Sequence, residues 1–245
     1  MTRLGILYPP SGAEFEYYRH GERLGEDVRI ALMGVRIFGD DDEHAPHHLR
    51  RTAALPNLET SARALAPLAP DAAVWACTSG SFIDGLGHAR AQAEALGTML
   101  RCPATSTSLA FSAALNALGI ARVSIVATYP EATAAAFADF LRETGITVDA
   151  MRCLDAPSGP AAAALGEARF FESAAAMTVD PASALLIPDT AVPTLEWIQD
   201  LEDRLGCTVL TANQVSLWHT ARLAGLNTAL PGIGRLWEST EFEVR

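Results

Sequence analysis

The chain has 245 residues, of which 49% are hydrophobic, and its 18 basic and 29 acidic residues give a formal charge of −11. The apolar content is enough to bury a core and excludes a disordered chain, and the acidic balance argues against a nucleic-acid partner. Every basic residue is arginine, which excludes a Schiff-base lysine and a Walker A loop and leaves proton transfer to Cys, His, Asp, Glu or Tyr.

In chain order, short apolar runs alternate with amphipathic segments. Strands are predicted at residues 4–8, 28–37, 72–77, 123–128, 148–153, 184–188 and 208–211. Helices are predicted at residues 58–66, 83–97, 108–118, 131–144, 161–176, 195–205 and 215–223. Short buried strands separated by helices are typical of βαβ units, so the sequence predicts an α/β fold with parallel sheets.

Neither a membrane span nor a secretory leader is expected. The sequence has no run of about 18 apolar residues, and residues 1–3 lead directly into the first strand. The four cysteines lack CxxC spacing, which fits reduced thiols better than a disulfide framework or a zinc site. We therefore expect a cytoplasmic protein with no membrane partner and no metal.

The two halves of the chain share a weak internal similarity. Residues 71–78 match residues 183–190, residues 105–109 match residues 211–215, and each half opens with an apolar strand that closes on Tyr-Pro. The shared order predicts a duplicated α/β half. The expected first lobe comprises residues 1–105 plus 225–245 and the second comprises residues 106–224, related by a pseudo-two-fold axis with the active site between them.

Polar residues follow the carboxyl ends of the predicted strands, where open parallel sheets bind ligands. They include Pro9, Ser11, Cys77, Thr78, Ser79, Tyr129, Asp189 and Thr190. If the lobes face each other, Cys77 and Asp189 come from equivalent strands and approach a ligand from opposite sides. A carbon between them could lose a proton on one face and gain one on the other, as racemases and isomerases require.

Cys77 lies between an apolar strand and a helix predicted to begin near Phe82. The field of that helix would lower the pKa of the thiol and favour the thiolate. A buried structural thiol beside ordinary capping residues fits the same pattern equally well. Asp189 could act as a general acid or base, bind a substrate ammonium or hydroxyl, or cap the following helix.

The segment His44-Ala45-Pro46-His47-His48 follows an acidic run. Its side chains suit a metal, but its polar, proline-containing setting favours a solvated loop or a lid over the site. His219 lies in an apolar stretch and is expected in the core.

Several segments together resemble the maleate isomerase and arylmalonate decarboxylase branch of the aspartate/glutamate racemase superfamily, including its ectoine-utilisation proteins. The segments are residues 4–10, 77–81, 127–129 and 211–225. The resemblance covers nearly the whole chain and implies a cofactor-independent enzyme of two flavodoxin-like lobes. It also implies that Cys77 is the first of two catalytic cysteines and that Thr78, Ser79 and Tyr129 bind a substrate carboxylate. Asn213, in the last segment, is a further candidate for substrate contact.

The chain departs from the family at the second cysteine, where it reads Pro188-Asp189-Thr190. The decarboxylases keep that cysteine and carry glycine at the position of Cys77, so neither pattern fits fully. The sequence favours an isomerase or racemase that acts on a small carboxylate through a cysteine thiolate. The alternatives are a malonate-type decarboxylase, in which Cys77 only protonates the enediolate left after CO₂ departs, and a binding protein without turnover. Each of the three is compatible with a homo-oligomer.

Overall fold

The computed structural model describes residues 1–238, and its framework is two four-stranded parallel sheets. The first sheet contains β1 (Thr2–Tyr8), β2 (Val28–Gly34), β3 (Ala72–Trp75) and β4 (Ala104–Ser106) in the order β2-β1-β3-β4. The second contains β5 (Arg122–Ala127), β6 (Thr147–Cys153), β7 (Ala184–Ile187) and β8 (Thr208–Thr211) in the order β6-β5-β7-β8. Since both sheets use the same order, the α/β fold of two similar halves is confirmed.

Helices connect the strands and cover the sheets. The first half contains α1 (Phe15–Gly21), α2 (Pro46–Ala53), α3 (Leu55–Leu65), α4 (Thr78–Phe82), α5 (Gly85–Leu100) and α6 (Thr107–Ala117). The second half contains α7 (Glu131–Glu143), α8 (Gly159–Ala163), α9 (Gly166–Ala175), α10 (Ile198–Leu205) and α11 (Ala212–Leu223). Within residues 1–238, no helix is both long enough and apolar enough to cross a bilayer.

Buried strands of both sheets form much of the core. Every residue of β3, β7 and β8 is buried, as expected for parallel strands. Helix α6 of the first half packs against α11 of the second. The two sheets are therefore joined through a shared helical layer, and the carboxyl ends of their strands are brought close together.

Several predicted elements have different boundaries in the structure. β2 ends at Gly34 rather than at Ile37, because the next residues leave the sheet and Phe38 N donates to Thr52 Oγ1 at 3.0 Å. The helix predicted at 161–176 is divided at Gly166, whose φ of +72° is left-handed. β4, α1, α2 and α4 were not predicted. The lobe boundary at residue 105 stays a prediction, and residues 239–245 of the expected first lobe lie outside the described residues.

Candidate functional site

The carboxyl ends of β1, β3 and β7 meet at a small cavity of about 40 Å³ between the two halves. Six residues predicted from the sequence line it: Pro9, Ser11, Cys77, Ser79, Asp189 and Thr190. The other lining residues are Ile37, Glu43, His44, Leu49, Thr52, Gly159 and Ala191. A cavity of this size holds a few water molecules. The cavity therefore has room for only a few atoms, and its walls must move apart to admit a larger substrate.

Cys77 is the N-cap of α4, and its sulfur accepts a hydrogen bond from Gly80 N at 3.3 Å. This short helix precedes the predicted one, which is α5 and begins at Gly85, close to the predicted start near Phe82. Burial raises the pKa of the thiol to about 11, and the Gly80 and Ser79 contacts lower it only in part. The expected shift toward a thiolate was therefore wrong: at neutral pH the resting group is the thiol.

Asp189 follows β7 and is buried, with both carboxylate oxygens occupied by donors from its own half. Oδ2 accepts a hydrogen bond from Thr128 Oγ1 at 2.5 Å, and Oδ1 accepts one from Ala191 N at 2.9 Å. Helix α10 begins nine residues later at Ile198, so Asp189 does not cap it. Among the described residues, no arginine lines the cavity. The Asp189 carboxylate therefore has no guanidinium partner there.

A buried polar network holds the loop after β7 from behind. Thr190 O accepts hydrogen bonds from Tyr8 Oη at 2.8 Å and from Asn213 Nδ2 at 3.1 Å. Asn213 Nδ2 also donates to Glu16 Oε2 at 2.7 Å, and burial raises the pKa of Glu16 to about 7. Asn213 therefore supports the cavity wall without forming part of it.

Thr78 and Tyr129 are also fully buried just outside the cavity wall. The Tyr129 hydroxyl donates to Pro188 O, in the loop that carries Asp189. Thr78 Oγ1 is buried and makes no hydrogen bond with the described residues. Their direct contact with a substrate stays a prediction.

His44 is the site residue for which sequence reasoning gave no role in the chemistry. It is 5% exposed and lines the cavity, with Nδ1 2.8 Å from Ala156 O and Nε2 3.9 Å from Asp189 Oδ2. Its backbone is fixed to the second half as well, since His44 N donates to Pro157 O at 2.9 Å and Thr133 Oγ1 donates to His44 O at 2.8 Å. His44 is thus part of the cavity wall, and the expectation of a solvated loop was wrong at this residue.

A sequence signal for this placement was present but weak. Pro46 stands at the first turn of α2, and Leu49, Thr52 and Ala53 form its buried face, a spacing that indicates an amphipathic helix. A helix starting at Pro46 and packed on the core brings the preceding His44 inward.

The core assignment of His219 was correct: it is buried, with Nδ1 3.0 Å from Thr105 Oγ1.

Comparison with known proteins places these features in context. The sequence model of the arylmalonate decarboxylase family matches residues 52–237. Arylmalonate decarboxylase of Bordetella bronchiseptica is 30% identical over 171 residues, which cover 66% of this chain and 69% of the relative. Maleate isomerase of Nocardia farcinica is 24% identical over 178 residues, 70% and 71% of the two chains. The structure of a maleate isomerase variant from Pseudomonas putida S16 with maleate superposes with a TM-score of 0.87 at 23% identity, covering 97% and 98%.

Proposed function

The chain belongs to the arylmalonate decarboxylase family, and we propose that it is a cofactor-independent isomerase that moves a proton on a small carboxylate substrate. One observation carries the proposal: Cys77 after β3 and Asp189 after β7, the equivalent strands of the two halves, line the same small cavity. A substrate carbon held there has an ionisable group on either side. The small volume of the cavity leaves room for few water molecules, which limits uncontrolled protonation of a carbanionic intermediate.

Hydroxyl groups are the natural ligands for the substrate carboxylate in this cavity. Ser79 and Ser11 line it, and the unpaired Thr78 hydroxyl lies directly behind. Hydrogen-bond donors fixed around a carboxylate stabilise the enediolate that forms when a proton or CO₂ leaves the adjacent carbon. Such donors work without a lysine or arginine, which agrees with the absence of lysine from the sequence.

The state of Cys77 decides which part of the reaction it performs. Since its pKa is raised to about 11, the resting thiol is a proton donor and a poor nucleophile. The expected route is therefore proton transfer to an enediolate carbon. Attack of a preformed thiolate on an alkene is disfavoured.

The same observation favours a second candidate, a malonate-type decarboxylase. In that reaction CO₂ leaves first, and a single thiol then protonates the enediolate, so no base is needed on the opposite face. The 30% identity to an arylmalonate decarboxylase supports this alternative. The two functions differ in one product, CO₂, and share the role of Cys77 as proton donor.

Proton NMR in D₂O separates them. The panel comprises maleate, both enantiomers of aspartate and glutamate, methylmalonate and phenylmalonate, and diamino acids derived from ectoine. Deuterium at the α-carbon without loss of CO₂ supports the isomerase, and deuterium only in a decarboxylated product supports the second candidate. Conversion to the isomer or to the decarboxylated product must vanish in Cys77→Ala and persist in the matched control Cys153→Ala, a half-buried cysteine on β6. Binding of panel members by thermal shift without turnover would contradict both and favour a binding protein.

A further inference from the structure

We infer that His44 is the second proton carrier of this site, acting through Nε2 on the face of the substrate opposite Cys77. His44 lies on the segment between β2 and α2, away from the strand ends that carry the other polar groups. That segment crosses to the second half and is held there by Pro157 and Thr133. Its imidazole consequently lies beside Asp189 in the cavity wall.

The hydrogen bond at Nδ1 fixes which nitrogen is available. Nδ1 lies 2.8 Å from Ala156 O, and a carbonyl oxygen only accepts, so Nδ1 carries the hydrogen. In the neutral ring the lone pair is then on Nε2. Nε2 makes no hydrogen bond with the described residues, and the ring packs edge-on against Tyr129 with centroids 4.9 Å apart. The imidazole is therefore held in one orientation with its basic nitrogen free.

The two carboxylates that line the cavity already accept hydrogen bonds. Both oxygens of Asp189 accept hydrogen bonds, and Glu43 Oε2 accepts one from Gly159 N at 3.0 Å. Asp189 Oδ2 is instead well placed to stabilise a positive charge on His44, since only 3.9 Å separates it from Nε2. We therefore give Asp189 the role of positioning and stabilising the imidazolium, and His44 the role of taking the proton.

The step balances with no further reactant. His44 Nε2 takes the proton from the carbon next to the carboxylate, and the C–H electron pair moves into the carboxylate to give the enediolate. The enediolate carbon then takes the proton of the Cys77 thiol on its other face, which leaves a thiolate and an imidazolium. In the reverse direction the thiolate removes the proton and the imidazolium returns one. A single proton transfer from imidazolium to thiolate restores the resting pair.

This inference rests on the proposed function for its chemistry but not for its first test. Histidine side chains labelled with ¹⁵N in the full-length protein report which ring nitrogen carries hydrogen. The His44 signal is assigned by its loss in His44→Asn. The Nδ1–H form with an unprotonated Nε2 is the expected result. The Nε2–H form of the neutral ring would overturn the inference, whether or not any substrate is turned over.

The second test uses the panel member that reacts. In His44→Asn the side-chain amide can still donate to Ala156 O, so the segment stays docked while Nε2 is lost. If the reaction is an inversion, the variant should lose proton exchange from one enantiomer by about 10²- to 10⁴-fold. Cys77→Ala should lose exchange from the other enantiomer, and the exposed control His47→Asn should lose neither. If His44→Asn loses exchange equally from both enantiomers, or from neither, the assignment of His44 as proton carrier is overturned. Decarboxylation by this variant at the wild-type rate would overturn it as well. If the wild-type protein converts no member of the panel, that result contradicts the proposed function. The ¹⁵N measurement of the ring nitrogens would still test the inference about His44.

Discussion

Glu16 links the stability of this fold to pH in a way that can be measured directly. The carboxyl is 1% exposed on α1, where Leu195 N donates to Oε1 at 2.7 Å and Asn213 Nδ2 donates to Oε2 at 2.7 Å. These two bonds offset the burial only in part, and the pKa rises from 4.5 to about 7. The folded state therefore prefers the neutral carboxyl.

The sign and size of the effect follow from that shift. Because the folded-state pKa lies above the unfolded value, the stabilisation is fully present below pH 4.5 and is lost as the pH rises through 7. A shift of this size corresponds to about 3 kcal/mol in total. The sequence pI is near 4.9, so solubility favours measurements from pH 5.5 upward. About 2 kcal/mol of the change falls between pH 5.5 and 8.5.

The test compares wild type with Glu16→Gln by urea unfolding at several pH values. Glutamine cannot ionise, so its free energy of unfolding relative to wild type should rise by about 2 kcal/mol from pH 5.5 to 8.5. The new amide faces the donor Asn213 Nδ2, which lowers the whole curve of the variant but not its slope. Other titrating groups are common to both proteins and cancel in the difference. Glu22→Gln, at an exposed position after α1, is the matched control. A difference that is independent of pH would refute the assignment.

Three further outcomes are expected. Iodoacetamide should alkylate Cys77 more slowly than free cysteine at pH 7 and faster as the pH rises, since its pKa is about 11; a faster reaction at neutral pH would contradict the resting thiol. Tyr8→Phe removes the 2.8 Å hydrogen bond to Thr190 O and should lower the free energy of unfolding by about 1 kcal/mol in urea, whereas an unchanged midpoint would show that the bond contributes nothing. In Gly80→Ala the added Cβ would lie 3.0 Å from Cys77 Sγ, so turnover should fall and stability should drop by about 1–3 kcal/mol. In the control Gly87→Ala, at an exposed position on α5, the added Cβ would have no heavy atom within 4 Å, so this variant should be stabilised by about 0.5–1 kcal/mol. Equal changes in the stability of the two variants would refute the steric explanation.

The strand ends were predictable because parallel strands deliver their carboxyl ends to one edge, whatever the details of packing. A buried apolar run followed by polar residues was therefore enough to find Cys77 and Asp189. The ionisation of Cys77 was not predictable in the same way. Proximity to a helix terminus is visible in a sequence, whereas complete burial depends on residues from both halves, and burial determines the direction of the shift.

The unpredicted helix α1 shows why polar segments near a site mislead sequence reasoning. It buries Glu16, Tyr17 and His20 while Phe15 and Tyr18 are 43% and 44% exposed. An ordinary amphipathic helix buries its apolar residues and exposes its polar ones. In α1 this pattern is partly reversed. The inward polar groups serve the network behind Thr190, so the constraint that shapes this helix is hydrogen bonding to the other half. No periodicity in one segment can reveal a partner that lies about 200 residues away.

The two halves share a strand order but end their equivalent strands differently, and this difference has a chemical consequence. β3 runs directly into α4 with Cys77 as its cap, whereas β7 runs into a loop whose carbonyl groups accept from Tyr8 and Tyr129 and whose Asp189 lies beside His44. The cavity is thus lined by a thiol after β3 and by a carboxylate after β7 that lies beside an imidazole. If both sides carried thiols, removal of a proton from either face of a substrate would depend on the same kind of group. Here the two directions would use a sulfur acid and a nitrogen base, so their rates should depend differently on pH. That asymmetry follows from the different ends of the two strands, since Cys77 caps α4 whereas Asp189 lies in a loop nine residues before α10.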